Sequence, residues 1–410
     1  MNPQSYADDL QDDDLARQLV EKQVEMEGER LPWEDLYKQV EQRVDPVAMG
    51  GFTPTATGGQ RGAGNLDGTA PEGLDRYEAA MGGLLVPRNQ RWHGLVTTDG
   101  ELNKLDATKR WCEHAVDRLF AMRYNPDAGF ETQFYEDIRS AGLYGTAPLW
   151  VDEIVGKQLF YKALHLSEVW IDEDFRGRVD VTHRKFERTA RQCAQEFPNG
   201  LSPKMREALA NGKDGARFTL LSVIRPNRSF DRDRWDWRGK RYESITIALD
   251  EKWIMKRSGY HSMPLLVSRA STSPRDKYGR SPAMKVLGSI KGANEMARTI
   301  LRAAHKAVDP PLLYHDELQL TSIRTKPGGL NPGGVDEFGR QMIQPMASGG
   351  NLPIGIEMLE AERQTIKTAF LDHAFALLFE RGDRMTATEV LEIARQQGVL
   401  LAPTAGRMET

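Results

Sequence analysis

Before Pro148 and again beyond Pro282, apolar residues recur every three or four positions; between these points they alternate with polar ones. The chain therefore reads as helices, then strands, then helices. Residues 10–44 predict two acidic helical segments broken around Gly28 and Pro32. Leu74–Val86 predicts a short amphipathic helix ending before Pro87, and Thr108–Met122 and Phe130–Leu143 predict two more. The segments LWVDEIV, LFYKAL, EVWIDED and RVDVTHRKF predict strands, with turns at Gly156 and Gly177. Helices are expected at Thr189–Phe197 and Pro203–Leu209, and strand character resumes over Phe218–Ile224 and Tyr242–Met255. The fold class is α+β and helix-rich.

Tyr278-Gly279-Arg280-Ser281-Pro282 starts a long helix over 283–308, and Pro310-Pro311 stops it. On that helix Val286/Leu287, Ile290, Ala293, Ala297, Ile300/Leu301 and Ala304 form one narrow apolar stripe. Residues 310–353 hold four further prolines and seven glycines between Gly328 and Gly350, a composition that predicts a loop-rich unit. The helical pattern returns over Ile354–Phe379, with Leu359, Ile366, Phe370 and Leu377 on one face. Gly382 and Asp383 interrupt it, and Thr386 with Glu389 has capping-box spacing for another helix. Two long helices flanking a loop-rich excursion predict a rod-like hairpin.

Composition narrows the function classes. No apolar run reaches the about 18 residues of a membrane span, and the polar, acidic N-terminus lacks the pattern of a secretory signal. Cys112 and Cys193 are far apart and read as small core residues. The formal net charge of −4 hides an acidic start: residues 1–45 carry 13 Asp/Glu against 5 Lys/Arg, so the remainder is mildly basic. That distribution excludes nucleic-acid binding through a globally positive surface and permits contact at a restricted face. Residues 46–73, rich in Gly, Thr, Ala and Pro, read as a linker or an arm ordered only by its neighbours.

Catalytic and ligand motifs are sparse. GGQRGAG at 58–64 lacks the Lys-Ser/Thr of a phosphate loop. WIDEDFRGRVD resembles half a calcium loop, but Arg176 takes a ligand position and no closing Glu follows, so a charged β-turn is expected. A hydrolytic metal site on Asp172, Asp174 and His183 is the minor alternative. The eight histidines form no metal-binding pair, and no nucleophile elbow is present. RSFDRDRWDWRGKRYES interleaves basic and aromatic residues, yet Asp231, Asp233 and Asp236 offset the charge; it reads as an exposed or interface hairpin.

Several blocks resemble, in order, the portal (head-to-tail connecting) proteins of podovirus-type phages. These are LDRYEAAMGGLLVPRNQRWHGL, AGLYGTAPLWVDE, LSEVWIDEDFRGRVDVTHRKFERTARQCAQEF, MPLLVSRASTSPRDKYGRSPAMKVLGSIK with AVDPPLL, and GDRMTATEV. The resemblance spans about residues 74–400 and implies a portal fold. Residues 1–73 would be an acidic arm and Gly-rich linker, 74–280 an α+β wing, 281–309 the first stem helix and 310–353 the clip. Residues 354–379 would be the second stem helix, 380–385 a channel loop, and 386–410 the start of a long wing helix. The family continues beyond that helix into further wing and a crown, which the resemblance leaves missing after Thr410, by truncation or loss.

The function implied is a non-enzymatic ring subunit, dodecameric in the family, at one capsid vertex. It would conduct double-stranded DNA without sequence specificity, during packaging and ejection. Implied partners are terminase, the tail adaptor, and the major capsid and scaffold proteins; no cofactor, metal or membrane is implied. Expected channel-loop residues are Glu380, Arg381, Gly382, Asp383 and Arg384. Arg302, Lys306, Arg363 and Lys367 are candidates to face DNA from the stem, and Lys326, Asn331, Asp336 and Arg340 form the expected docking surface of the clip. A head–tail adaptor without a portal role and a metal-dependent nuclease are the alternative functions.

Overall fold

Alternation in the middle of the chain builds two antiparallel sheets, and helices cover them. The computed structural model describes residues 11–46, 50–53, 62, 64–88, 90–154, 156, 158–314, 324, 326, 329–331, 334–335, 338–346 and 352–371. The helices are α1 (Asp13–Val44), α2 (Thr69–Leu85), α3 (Asp106–Arg123) and α4 (Phe130–Tyr144) before the strands. β1 (Thr146–Ile154), β2 (Gln158–Ala163) and β8 (Leu265–Arg269) make a three-stranded sheet in the order β2-β1-β8. β3 (Val169–Glu173), β4 (Val179–Thr189), β5 (Arg217–Pro226), β6 (Tyr242–Ala248) and β7 (Trp253–Tyr260) form a five-stranded meander. α5 (Ala190–Glu196) and α6 (Pro203–Ala210) lie between β4 and β5.

The meander is covered on both faces, which explains why β5 reads as a nearly continuous apolar run. Leu221 and Val223 point to one side and meet Ala16 and Leu19 of α1. Leu220 points to the other and meets Cys193 and Phe197 of the α5 segment and Met205 of α6. Both cysteines are buried and free. Thr189 caps α5 in a full capping box with Gln192, and Gly156 and Gly177 take the positive φ of tight turns.

Three expectations need correction. Residues 13–44 are one helix, not two, with Pro32 inside it. Gly28 and Pro32 both lie on its exposed side, so the carbonyl that loses the Pro32 N–H faces water. Both halves of the helix are held by burial: Ala16 and Leu19 on the meander, Tyr37, Val40 and Val44 in the main core. Tertiary packing overrides the local break signal. The expected strand over Tyr242–Met255 is two strands with a turn between them, where Lys252 sits at φ 52, and β8 had no separate signal. The expected helix over Ile354–Phe379 runs over Leu352–Ala369, ending in a turn at Phe370 and Leu371, the latter at φ 62. Its Leu377 and the expected helix from Thr386 lie outside the described residues.

After β8 the chain enters α7 (Pro282–Lys285), breaks at Val286 and continues as α8 (Leu287–Val308). α9 (Leu352–Ala369) returns beside it. Between them β9 (Leu312–Tyr314) pairs with β10 (Ile343–Pro345) in a two-stranded antiparallel ribbon.

The main core gathers α1, α2, α4 and β3 with one end of the α8–α9 pair. Tyr37, Leu74, Tyr77, Met81, Ile138 and Tyr144 meet Leu287, Ile290 and Ala293 of α8 and Leu359, Ile366 and Phe370 from α9 and its end.

Candidate functional site

The junction at which the sheets hand over to the helical hairpin brings two distant sequence blocks into contact. Gly145 ends α4 at φ +76, and a Cβ there would lie 2.5 Å from the backbone of Gly279, Arg280 and Ser281. Reciprocally, a Cβ on Gly279 would lie 2.1 Å from the Gly145 carbonyl oxygen. Two bare backbones cross here, an approach open only to glycine. The Gly145 carbonyl accepts from Ala270 N at 2.9 Å, and Gly279 N donates to Thr146 Oγ1 at 2.8 Å. Ser281 then caps α7, accepting from Met284 N at 3.0 Å, and Pro282 takes the first helical turn.

Charged side chains brace the same junction. Lys277 Nζ lies 2.6 Å from Glu29 of α1 and 2.8 Å from Asp172 of β3, while Arg269 pairs with Glu173. Tyr278 is buried against Trp33, and Arg280 lies over the Trp33 ring. The block YGRSP is therefore a structural knot rather than a ligand loop.

A second clamp holds the two helices together at this root. Asn294 of α8 is buried, and its Oδ1 accepts from Leu66 N at 2.9 Å and Asp67 N at 3.2 Å. Asp67 is buried, and its Oδ2 accepts from Arg363 Nε of α9 at 2.8 Å. Burial alone would raise the Asp67 carboxyl, but hydrogen bonds from Thr69 and Arg363 hold it below the usual carboxylate range. The end of the Gly-rich stretch is thus a strap across the root of the hairpin.

The helices run antiparallel. Gly355 faces Ile300, where a Cβ would come within 3.3 Å, while Asp67 joins the levels of Asn294 and Arg363. The four basic residues expected on these helices are consequently at two levels. Arg302 and Lys306 sit on the distal turns of α8, are exposed, and have no ion-pair partner among the described residues. Arg363 and Lys367 sit near the root, where Arg363 is held by Asp67 and by Glu360 at 3.5 Å.

Beyond the root, apolar side chains are bare. Ile354, Ile356 and Met358 of α9 are each more than half exposed, and Val308, Leu313, Leu330 and Phe338 continue the feature around the ribbon. Asn331 closes a local loop there, accepting from Arg324 N at 2.7 Å and donating to Arg324 O. Arg340 lies over the Phe338 ring at 5.9 Å and is exposed, as is Lys326. Asp336 and the expected channel loop, Glu380, Arg381, Gly382, Asp383 and Arg384, lie outside the described residues.

The alternative metal site does not assemble. Asp172 is engaged by Lys22 and Lys277, and Asp174 accepts from the Arg176 and Arg178 amides of its own turn. His183 is buried with Nδ1 3.0 Å from Gln23 Oε1, and burial holds its imidazole down to about 4, so it stays neutral. No metal-binding group of His, Cys, Asp and Glu occurs among the described residues, and none of their helices is long and apolar enough to cross a membrane. A cleft of 390 Å³ between the two sheets has cations, but Arg184 and Arg188 in it pair with Glu168 and Glu196.

Sequence reasoning did not find the junction glycines as a pair, nor the strap. Gly145 and Gly279 each lie in a conspicuous motif, and their contact across 134 positions has no local signal. Asn294 within an apolar stripe was a signal, since a buried amide needs partners.

A curated relative, the probable portal protein of Bordetella phage BPP-1, is 26% identical over 407 residues, covering 95% of this chain and 71% of the relative. Among solved structures, the virion of a native gene transfer agent particle aligns with a TM-score of 0.40 at 12% identity, over 86% of this chain and 72% of that one. The neck of an empty gene transfer agent particle aligns with a TM-score of 0.41 at 15% identity, over 78% and 70%. The family model described as bacteriophage head to tail connecting protein matches residues 16–410, and the chain belongs to that family.

Proposed function

We propose that this chain is the portal subunit of a phage capsid, and that copies of it close into a ring whose bore conducts the genome during packaging and ejection. The observation that supports this most is the helical hairpin. Its root is buried in the main core, while its distal half bears apolar side chains on faces that no part of the same chain covers among the described residues. A monomer leaves such surface in water at about 25 cal/mol per Å², whereas side-by-side packing of hairpins from neighbouring copies removes it. Repetition of that contact about an axis gives a heterologous, closed ring.

In this reading α8 and α9 are the stem, the ribbon between them is the clip, the two sheets with α2–α6 belong to the wing, and α1 is the acidic arm packed on it. The protein works by geometry and carries out no chemistry. Arg302 and Lys306, exposed and distal, are the stem residues that face DNA, with Arg363 serving the fold instead. One or two weak phosphate contacts per subunit suit a sliding duplex, because several strong ones repeated round a ring would hold it fast. The clip, with its exposed Leu330 and Phe338 beside Lys326 and Arg340, is the surface for terminase and then the tail adaptor, and Glu380–Arg384 line the channel. The ring is dodecameric, sits at the capsid vertex beside the capsid and scaffold proteins, and forms in the host cytoplasm.

Negative-stain microscopy with sedimentation velocity tests the reading. Rings with a central bore are expected from the purified chain; monomers at every concentration would overturn it.

A further inference from the structure

Two helices outside the stem each have a solvent-facing apolar stripe flanked by charge, and the two charges are opposite. α1 buries Ala16, Leu19, Met26 and Arg30, which leaves Val24, Gly28 and Leu31 in one row on its outer side. Val24 and Leu31 are each 63% exposed, and nothing lies within 4 Å of a Cβ placed on Gly28, so the row has a notch at its centre. Alongside it run Glu21, Glu25 and Glu29 at four-residue spacing. Glu25 and Glu29 hold Lys22 and Lys277, and Glu21 has no ion-pair partner among the described residues.

α3 buries only Cys112 and Val116. Its outer side carries Trp111, Ala115, Leu119 and Met122, with Trp111 67% exposed. Arg110, His114 and Arg118 run alongside, again at four-residue spacing. Neither arginine has an ion-pair partner among the described residues, while the neighbouring Asp117 is taken by Arg91.

We infer that α3 of one copy docks on α1 of the next copy in the ring. Trp111 would fill the Gly28 notch between Val24 and Leu31, and Arg110 and Arg118 would face Glu21 and Glu25. The inference rests on the ring reading. A second copy is the occupant because one chain carries both halves of a complementary pair, which is what a repeating heterologous contact requires. The halves cannot satisfy each other within one subunit, since both face solvent. A glycine in a helix face lets a large side chain approach the opposing axis closely, and oppositely charged flanks set the register.

Short-arm bismaleimide crosslinking of cysteine variants tests this, because both native cysteines are buried. A chain carrying both Val24→Cys and Ala115→Cys is expected to give a ladder of covalent multimers, and each single variant none. Reversing charge on one helix (Glu21→Arg with Glu25→Arg, or Arg110→Glu with Arg118→Glu) is expected to weaken assembly at least about tenfold. Combining both reversals in one chain is expected to restore it. Circular dichroism of the exposed-site variants, unchanged from the parent, separates lost assembly from lost folding. Intact rings with no ladder, or rings indifferent to either reversal, would overturn the α1–α3 contact while leaving the ring reading standing. A parent chain that forms no ring at all would remove both.

Discussion

Replacing Arg30 gives the sharpest test of how α1 is joined to the rest of the molecule. The residue is 1% exposed and lies two residues before Pro32, which removes one backbone hydrogen bond from the helix. The guanidinium donates from Nη1 to Leu166 O at 2.9 Å and Val169 O at 2.7 Å, and from Nη2 to Ser167 O at 3.2 Å. Nε and Nη2 both reach Glu34 Oε1, and the group lies 3.8 Å from the centre of the Trp170 ring. A charged hydrogen bond contributes about 1.5–3 kcal/mol, and truncating one member of a buried polar set costs about 3–5 kcal/mol because its partners lose their bonds together.

Arg30→Ala should therefore cost about 4 kcal/mol, discounted from the simple sum because water can enter the vacated space. Arg30→Met should cost nearly as much, since it restores bulk but no donors. Arg30→Lys should cost about 2 kcal/mol, because one ammonium cannot reproduce a planar fork. Hydrogen exchange read on peptides from 13–31 is the assay. About 4 kcal/mol corresponds to roughly a thousandfold rise in local opening. Loss of protection below about tenfold in the alanine variant would refute the account and mean that surface burial alone carries the helix past its proline.

Three further outcomes follow from the same contacts. Gly145→Ala should leave little folded protein, since its Cβ meets backbone at 2.5 Å, whereas Gly83→Ala, with open space around it, should be neutral or better; soluble yield and melting temperature compare them. Arg363→Ala should destabilise by about 1–3 kcal/mol and release residues 64–68 to protease, because the buried Asp67 carboxylate loses its partner; unchanged cleavage would remove the strap. Burial pushes the Asp137 carboxyl up to about 7, and its hydrogen bond with Ser268 opposes this only in part. Its proton is held in the fold but lost from the unfolded chain, so stability should fall as pH rises from about 4 to about 7, and Asp137→Asn should flatten that part of a urea-unfolding profile.

Much of the architecture was legible because it is local. The turns at Gly156 and Gly177, the cap at Thr189 and the Ser281-Pro282 start are each written in adjacent residues. The failures share one physical cause, which is that distant packing decided them. Pro32 stays inside a helix because Arg30 and two separate cores hold its flanks. β8 exists because β1 supplies its partners from Thr146 to Trp150, more than a hundred residues earlier. For the candidate site, the paired helices could be read from periodicity, while the exposed Ile354, Ile356 and Met358 lie off the predicted apolar face. That Arg363 serves Asp67 could not, since nothing in the spacing of basic residues distinguishes a folded-state anchor from a surface cation.

The hairpin is mechanically a beam clamped at one end. On α8 the last residue packed against the main core is Ile300, so the remaining turns to Val308 leave a free length of about 12 Å. Deflection of such a beam grows steeply with free length, and all bending stress collects at the clamp. There the chain has placed its least compliant parts: two backbones crossing without side chains at Gly145 and Gly279, and an amide and a carboxylate gripping both helices. Load applied at the tip is thereby delivered to the sheets instead of being absorbed by the joint.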